Sequence, residues 1–506
     1  MKNKKTDIVF VEAQDYEGIL EEPSLGLLSI ATLLKKNKYN PVIVRIVKSN
    51  VERISRFLND DVMAVGFGVM TIQVPSALEI SKYIKKNYPK IKIIWGGIHP
   101  NLHPKQVLEN ENIDIVVFGD GEHTVLEIIE RLKKNKSLKG VKGCGYKENE
   151  KIVFNEKREP TDISKLPEYD YSLIYDIEDY IKESSGKRYG YLHSFLPLQS
   201  SVGCPFNCSF CYNTRDRTRK SARKIKVMLD EIQELQRKYN VNHFKINDEL
   251  FFANKERVKE FLEAKKKRKM KFCWEACFHV ALLKNEYNYS DAFLSEIKKE
   301  GIVSTAVGVE AGSIAQLERY RKNITPEDVI KVAKRMERLK IITRYLFMIA
   351  PPHETHDDMI DTVKLIYDIK VFSPRYSVIV SPQIYKPYPG CDLYEEAIKL
   401  GFKPKEKLED WSKINPTTGY TSYDDLPYVK DILPRIYSIM YYIKMVKFLF
   451  GYETLSKFGK NKKIRQFLTN KRTINITGSL IKKTVENGFI DFILKKIFNK
   501  SFILEK

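Results

Sequence analysis

The residues with the clearest capacity for chemistry are three cysteines that lie within an eight-residue stretch, Cys204, Cys208 and Cys211. Their spacing is C-x3-C-x2-C, directly after a predicted strand. Soft thiolates favour zinc or an iron–sulfur cluster, and three of them leave one iron of a 4Fe-4S cluster open to an exogenous ligand. The alternatives are a zinc knuckle, for which no fourth Cys or His completes the usual set, or reduced cysteines in a core.

The elements that must position these cysteines follow from an alternation of apolar β-branched runs with amphipathic stretches. Such alternation is typical of parallel sheets covered by helices. The sequence predicts an α/β fold with four parts: a doubly wound, Rossmann-like domain over 1–139, a surface linker over 140–195, a partial (β/α)6 TIM barrel over 196–400 and a basic helical region over 401–506. The predicted strands are 7–12, 41–46, 62–68, 92–97 and 113–119, then 198–202, 243–247, 271–275, 304–309, 343–349 and 377–381.

Glycine-containing turns follow three predicted strands of the first domain, at 66–71, 96–99 and 119–122. In open parallel sheets, ligands bind outside the carboxyl ends of the strands. We therefore expect these turns to converge on one crevice, where glycine lets the backbone approach a large ligand.

The length, cysteine count and charge of the chain indicate its number of domains, its class and its partners. The chain has 506 residues, which predicts two or three domains, and seven cysteines, which are too few for a disulfide scaffold. Its net charge is +22, and residues 440–506 hold 15 Lys and Arg against 4 Asp and Glu. Predicted helices at 431–452 and 480–504 suit either a membrane interface or packing on the open end of the barrel, whereas nucleic-acid binding is disfavoured. No spanning segment or secretory signal is evident, which predicts a cytoplasmic protein, with membrane association left open.

The cysteine run, with sequence GCPFNCSFC over 203–211, resembles that of the cobalamin-binding radical S-adenosylmethionine enzymes. The resemblance covers about residues 1–400. It implies that Cys204, Cys208 and Cys211 hold a 4Fe-4S cluster and that Phe210 lies near the adenine of S-adenosylmethionine. It also implies that an electron from a flavodoxin-type or ferredoxin-type donor cleaves this cofactor to a 5'-deoxyadenosyl radical.

Two further barrel motifs carry the resemblance. Residues 308–312, GVEAG, are similar to a family strand end that contacts S-adenosylmethionine, which implies cofactor-binding roles for Gly308, Glu310 and Gly312. Residues 247–251, NDELF, resemble an acidic motif after the second strand and imply that Asp248 orients cofactor or substrate. A salt bridge for Glu310 and a helix cap for Asp248 remain alternatives.

The stretch 347–355, FMIAPPHET, resembles a family loop but departs from its pattern. Ala350 and His353 stand where the family usually has glycine, so a backbone with positive φ is in doubt there. His353 is more typical of a surface residue than of a catalyst. Cys391, in a Pro-Tyr-Pro-Gly context, is expected to be structural.

In the first domain, the order and spacing of the glycine turns resemble the family's corrin-binding crevice. The resemblance assigns cobalamin contacts to Thr71, Gly96, Gly97, Gly119, Gly121 and Glu122. The Asp-x-His-x-x-Gly motif that supplies a histidine to cobalt in other cobalamin proteins is absent. His99 is expected to pack against the corrin edge or its own loop.

Together with the resemblance, these features predict a methyltransferase that acts on an unactivated carbon of a small-molecule substrate through a 5'-deoxyadenosyl radical and methylcobalamin, and the C-terminal region leaves a lipophilic substrate open. One alternative is an oxidative cyclase or rearrangement enzyme with the same cofactors and no methyl transfer. Another is a non-catalytic, metal-stabilised interaction protein.

Overall fold

The structure is a computed structural model of the 506-residue chain. It describes residues 6–15, 22–149, 151–184, 186–188, 191–193, 195–215, 220–284, 287–380, 382–413 and 426–429. The predicted helices at 431–452 and 480–504 lie outside the described residues. No helix of the described part is long and apolar enough to cross a membrane.

Strands and helices alternate along most of the described chain. The strands are β1 Ile8–Gln14, β2 Pro41–Val47, β3 Ala64–Gly68, β4 Lys92–Gly96, β5 Ile115–Val117, β6 Cys144–Glu148, β7 Lys151–Phe154, β8 Gly186–Arg188, β9 Tyr191–His193, β10 Phe195–Leu198, β11 Ser201–Val202, β12 Ser221–Ala222, β13 His243–Ile246, β14 Cys273–Phe278, β15 Ile302–Glu310, β16 Ile342–Ile349, β17 Ser377–Ile379 and β18 Gln383–Ile384. The helices are α1 Leu25–Lys36, α2 Val74–Asn87, α3 Ile98–Leu102, α4 Pro104–Glu109, α5 Glu122–Lys133, α6 Ile177–Ser184, α7 Ile225–Tyr239, α8 Lys255–Lys267, α9 Val280–Leu283, α10 Asp291–Lys299, α11 Ile314–Arg319, α12 Pro326–Arg338, α13 His356–Phe372 and α14 Asp392–Lys399.

The first sheet is doubly wound. Its order is β2-β1-β3-β4-β5-β6-β7, and the five strands β1 to β5 run parallel. Successive residues of β1 are buried on opposite faces, since Ile8 and Phe10 pack with α1 and α5 while Val9 and Val11 pack with α2. A strand with two apolar faces needs helices on both sides, which explains this layering.

The predicted linker at 140–195 is partly wrong. It contributes β6 and β7, an antiparallel hairpin that extends the first sheet beyond β5. It also contains α6 and the short pair β8–β9. The alternation signal in β7 is weak because neither face is fully buried, as its burial pattern shows.

The second sheet has six neighbouring parallel strands in the order β10-β13-β14-β15-β16-β17, with β18 paired to β16. This arrangement confirms the predicted partial barrel. The first barrel strand lies earlier than predicted, at Phe195–Leu198, because Ser201 and Val202 leave the sheet to pair with β12. Sequence gave no sign of this pairing, since its partner strand lies about 20 residues downstream.

A short segment after the barrel returns to the first domain. Residues 408–413 form a 3-10 helix that packs on the α2 face of the first sheet. The Trp411 indole N–H donates to the Gln106 side-chain oxygen at 2.8 Å, and Gln106 donates to the Lys405 carbonyl at 2.7 Å. The start of the predicted basic C-terminal region therefore ties the two domains together.

Candidate active site

A cavity of about 720 Å³ opens at the carboxyl edge of the first sheet and reaches the start of the cysteine run in the second domain. This volume falls within the range of about 300–1,000 Å³ typical of small-molecule sites. Met70 and Ile98, each 43% exposed, are large apolar side chains in its lining. Other lining residues come from both domains. The first domain contributes Gly66, Gly68, Gly96, Gly97, Gly119, Asp120, Gly121 and Glu122, and the second contributes Gly203, Cys204, Tyr212, Asn213 and Glu249.

Two of the predicted glycine turns are joined by backbone hydrogen bonds. The Val69 N–H donates to the Gly96 carbonyl at 2.8 Å, and the His99 N–H donates to the Val69 carbonyl at 3.0 Å. Gly97 has φ of 99°, and a Cβ there would lie 2.7 Å from the Val69 nitrogen. Glycine is therefore required at 97 for both conformation and close approach.

The third turn leaves open space for a ligand. Gly119 has φ of 82°, and a Cβ there would meet no heavy atom within 4 Å. Its own N–H donates to the Asn101 side chain. At Gly121, a Cβ would lie 2.7 Å from Ile30 Cδ1, so this glycine makes room for α1. Glu122 begins α5 and accepts a hydrogen bond from the Ser29 hydroxyl at 2.9 Å.

Thr71 is the one predicted cobalamin contact that does not line the cavity. Its hydroxyl lies 3.4 Å from Nδ1 of the fully buried His99. The ring of His99 packs edge-on against Trp411 with centroids 5.2 Å apart. Burial, with a smaller effect of His103, lowers the pKa of His99 well below its usual value. His99 thus packs between the 66–71 turn and Trp411, and the described cavity lining contains no histidine.

The cysteine loop (residues 203–211) is anchored to the barrel at both ends. At its start, the Gly203 N–H donates to Glu249 Oε2 at 3.1 Å, and Gly203 has φ of 96°. Near its end, the Ser209 hydroxyl donates to the Arg319 carbonyl at 2.8 Å, and the Leu393 N–H donates to the Ser209 carbonyl at 3.2 Å. These bonds fix the backbone that carries the three thiols.

The three cysteines lie on this one loop outside any disulfide, and Cys208 is the most buried. Burial raises the pKa of all three, to about 11 at Cys208, while the Lys322 ammonium lowers each pKa in part. Among the described residues, no group of three His, Cys, Asp or Glu side chains is arranged to hold a single metal ion. A 4Fe-4S cluster takes each cysteine on a different iron, so its ligands need not converge on one point.

Lys322 forms the electrostatic centre of the site beside the cysteine loop. It is 3% exposed, lies 3.6 Å from Glu310 Oε1 and sits over the Phe210 ring at 5.9 Å. Burial raises the pKa of Glu310, and the neighbouring Lys322 opposes that rise. Glu310 has φ of 76° at a bulge in β15, and a Cβ on Gly308 would lie 2.2 Å from its Oε1. Gly308 therefore makes room for the Glu310 carboxylate. This carboxylate forms a salt bridge, as the alternative for Glu310 expected, and its partner is Lys322 in a turn rather than a residue at a strand end.

Asp248 and Gly312 have contacts away from the cavity. The Asp248 carboxylate accepts hydrogen bonds from the Ser200 N–H and hydroxyl and from the Ser201 hydroxyl, each at 2.6 Å. The helix-cap alternative is wrong, because Asn254 caps α8. A Cβ on Gly312 would lie 2.3 Å from the Asp361 carbonyl, so this glycine is explained by packing on α13.

The loop after β16 has a backbone conformation with positive φ, which glycine would favour, at both substituted positions. Ala350 has φ of 61° and His353 has φ of 62°, so both substituted positions are left-handed. The His353 side chain is 47% exposed and lies 3.6 Å from Glu396, as expected of a surface residue. Cys391 is 2% exposed, precedes α14, and its thiol donates to the Tyr388 carbonyl at 3.1 Å.

Sequence reasoning missed three residues of the site: Lys322, Glu249 and His279. Glu249 stood inside the NDELF motif and could have been found as the neighbour of Asp248. Lys322 and His279 carry no local signal, because Lys322 reaches Glu310 only through the turn that follows α11. His279 stacks on Phe206 of the cysteine loop.

Two family models match the chain in separate parts. Residues 20–129 match the B12 binding domain, and residues 198–366 match the Radical SAM superfamily.

Similar proteins cover most of the chain. An uncharacterized methyltransferase of Pyrococcus horikoshii is 26% identical over 402 residues, which are 78% of this chain and 82% of that protein. The anaerobic magnesium-protoporphyrin IX monomethyl ester cyclase of Rubrivivax gelatinosus is 25% identical over 460 residues, with 88% and 77% coverage. The solved structure of the cobalamin-dependent S-adenosylmethionine radical enzyme OxsB, with aqua-cobalamin and S-adenosylmethionine bound, shares the fold. Its TM-score is 0.70 at 16% identity, over 99% of this chain and 82% of that one.

Proposed function

The chain belongs to the cobalamin-binding radical S-adenosylmethionine enzymes, and we propose that it is a methyltransferase that acts on an unactivated carbon of a small molecule. The observation that carries the proposal is the composition of the cavity. Glycine turns of the B12-binding domain and the start of the cysteine loop line the same space. A methyl donor bound at the turns and a radical source bound at the loop would therefore both reach one substrate.

The residues present fit the cofactors of the family, which are a 4Fe-4S cluster, S-adenosylmethionine and cobalamin. Gly119 offers a position where even a Cβ would enter open space, and Met70 and Ile98 offer exposed apolar surface for a large ring. Three thiols on one anchored loop, none of them in a disulfide, provide the soft donor set of the cluster. When bound, these cofactors supply a 5'-deoxyadenosyl radical to remove a substrate hydrogen and a methyl group to replace it.

In this proposal, the chain's own residues bind the cluster and hold the cysteine loop in place. Cys204, Cys208 and Cys211 are proposed as the cluster ligands, and Lys322 offsets the negative charge that three thiolates bring into a buried site. Asp248 acts indirectly in this proposal, because it fixes Ser200 and Ser201 just before the cysteine loop.

The test is anaerobic reconstitution of the full chain with iron, sulfide, cobalamin, S-adenosylmethionine and a reductant. We expect both 5'-deoxyadenosine and S-adenosylhomocysteine by mass spectrometry. Cys208→Ala should abolish 5'-deoxyadenosine, whereas Cys391→Ala, a buried cysteine outside the loop, should retain it. Formation of neither product by a protein that holds cluster and cobalamin would contradict the proposal.

A second candidate is an oxidative cyclase that uses the same cofactors without methyl transfer. It is favoured by the similarity to the Rubrivivax cyclase over 88% of this chain. Production of 5'-deoxyadenosine with no S-adenosylhomocysteine, and a product of unchanged carbon count, would support the cyclase over the methyltransferase.

Partners follow from this chemistry. The radical SAM domain needs one electron at a time, and we propose a flavodoxin-type or ferredoxin-type donor. A lipophilic substrate and membrane contact through residues 430–506 stay predictions from the sequence, and that region lies outside the described residues. A cytoplasmic location likewise stays a prediction from the sequence.

A further inference from the structure

An unexplained polar atom beside the cysteine loop is Nε2 of His279, the residue that follows β14. The His279 side chain is 7% exposed. Its ring stacks on the Phe206 ring, with centroids 3.7 Å apart and planes inclined by 10°. Phe206 lies between Cys204 and Cys208 in the sequence. The stack therefore holds the imidazole against the segment that carries two of the proposed cluster ligands.

Hydrogen bonding determines which ring nitrogen of His279 carries the proton. Nδ1 accepts a hydrogen bond from the Ala281 backbone N–H at 3.1 Å and so caps α9. A nitrogen that accepts cannot carry the proton of a neutral imidazole, which must then lie on Nε2. Burial, with smaller effects of Lys322 and Lys284, lowers the pKa of His279 to about 3, so the ring is neutral near pH 7.

The Nε2–H group is a buried donor without a hydrogen-bond partner among the described residues. Leaving such a donor unpaired in a buried position is energetically unfavourable. Lys322 lies over the Phe210 ring and His279 stacks on the Phe206 ring, so both side chains border the space beside the loop that carries the three thiols. An acceptor bound in that space would satisfy the donor.

We propose that the Nε2–H of His279 donates a hydrogen bond to a negatively charged acceptor bound at the cysteine loop. The acceptor is either a cluster sulfur or the carboxylate of S-adenosylmethionine. The inference rests on the proposed cluster site and adds a residue to it. Hydrogen bonds to cluster sulfurs are among the factors that set the reduction potential of an iron–sulfur centre. A donor stabilises the more negative, reduced cluster and so raises its potential.

Three variants separate the hydrogen bond from the structural roles of His279. His279→Asn retains a side-chain oxygen that can cap α9 but loses the ring and the reach of Nε2. His279→Phe keeps an aromatic ring for Phe206 but loses the cap. His279→Gln places an amide N–H near the position of Nε2. A structural role would separate the Asn and Phe variants, whereas the proposed bond makes them alike and predicts rescue by Gln.

The experiment is a redox titration of the reconstituted full-length protein, followed by electron paramagnetic resonance, without and with S-adenosylmethionine. We expect the Asn and Phe variants to favour the oxidised cluster by about tenfold, which is about 59 mV for a one-electron couple. The Gln variant should stay closest to the wild type. A shift already present without S-adenosylmethionine identifies a cluster sulfur. A shift only in its presence, with weaker binding of the cofactor, identifies the carboxylate.

If the Asn and Phe variants both keep the wild-type reduction potential, without and with S-adenosylmethionine, the proposed hydrogen bond of His279 is overturned and the proposed cluster site is not. The same holds if only one of these two variants shifts, because that result follows the cap or the stack. A wild-type protein without a cluster signal after reconstitution would overturn the proposed cluster site together with the role of His279.

Discussion

Gly119 and Gly140 permit a matched test of the cavity at the level of single residues. Their φ angles are 82° and 85°, and a Cβ at either would meet no heavy atom within 4 Å. Gly119 lines the cavity, whereas Gly140 lies in an exposed turn. Alanine at either site should cost about 1–2 kcal/mol of folding free energy, because left-handed backbone disfavours a Cβ. Only Gly119→Ala places a methyl group in the cavity.

We therefore expect Gly119→Ala to weaken cobalamin binding by about tenfold, or about 1.4 kcal/mol, and Gly140→Ala to leave it unchanged. Absorbance titration gives the affinity, and urea unfolding gives the stability. Equal affinities for cobalamin in the two variants would argue against the cavity as its site.

The Lys322–Glu310 pair permits a second residue-level prediction. Removal of one member of a buried ion pair leaves an uncompensated charge and typically costs about 3–5 kcal/mol. Lys322→Met and Glu310→Gln should each destabilise the protein, since their side chains are only 4% and 15% exposed. The double variant should be more stable than the sum of the single effects implies. Urea unfolding of all four proteins gives the coupling energy, and additive effects would mean that the two charges act independently.

Part of the candidate site could be predicted from the sequence, whereas Lys322 could not. The cysteine spacing was sufficient to find the loop, because three soft ligands in eight residues have few other uses. Asp248 was singled out by its motif and its role stays a prediction, whereas its three hydrogen bonds to Ser200 and Ser201 join segments far apart in the sequence. Long-range partners of this kind leave no local pattern.

At the level of elements, the loop after β16 predicts a dependence of stability on pH. The Glu354 carboxylate accepts a hydrogen bond from the Ala350 N–H at 2.6 Å, and burial raises its pKa from 4.5 to about 8. A raised pKa means that the folded state binds the proton more tightly than the unfolded state. The resulting stabilisation is fully present below about pH 4.5 and is lost as pH rises to about 8.

Glu354→Gln keeps a neutral group in the same place at every pH. The variant should resemble the wild type near pH 4.5 and exceed its stability at pH 8 by about 4 kcal/mol, because each pKa unit between 4.5 and about 8 corresponds to about 1.4 kcal/mol. Thermal unfolding between these pH values measures the difference. Glu318→Gln removes an exposed carboxylate on α11 and controls for the loss of charge alone. A parallel pH dependence in wild type and Glu354→Gln would contradict the prediction.

Elements were predictable where the pattern of burial was strong. Helix α1, Leu25–Lys36, follows from a strong local pattern, because its apolar residues recur on one face and Ser24 caps its start. The β6–β7 hairpin was missed because it ends the sheet and carries charged residues such as Lys147 and Lys151, which blur the alternation. The conformations of Ala350 and His353 were also beyond reach, since neither side chain signals positive φ.

At the scale of the whole molecule, the two domains act as one binding unit. One core cluster joins residues from α1 and α5 of the first domain to strands of the barrel. The Glu22 carboxylate accepts hydrogen bonds from Lys245 and Asn247 of the barrel at 2.6 and 2.9 Å. The cavity lies across this junction, so a ligand in it contacts both sides.

This geometry predicts that cobalamin protects both domains from hydrogen exchange. Amides of residues 119–121 and of 203–204 should exchange more slowly together, because both segments line the cavity and local opening competes with binding. At a free ligand concentration 100 times its Kd, the stabilisation should reach about 2.7 kcal/mol, which is about a hundredfold slowing of opening-limited exchange. Helix α10, which contributes no residue to the cavity, serves as the internal control. Protection confined to the glycine turns would mean that cobalamin binds the first domain alone, and the shared cavity would then lose its role in bringing the methyl donor to the radical site.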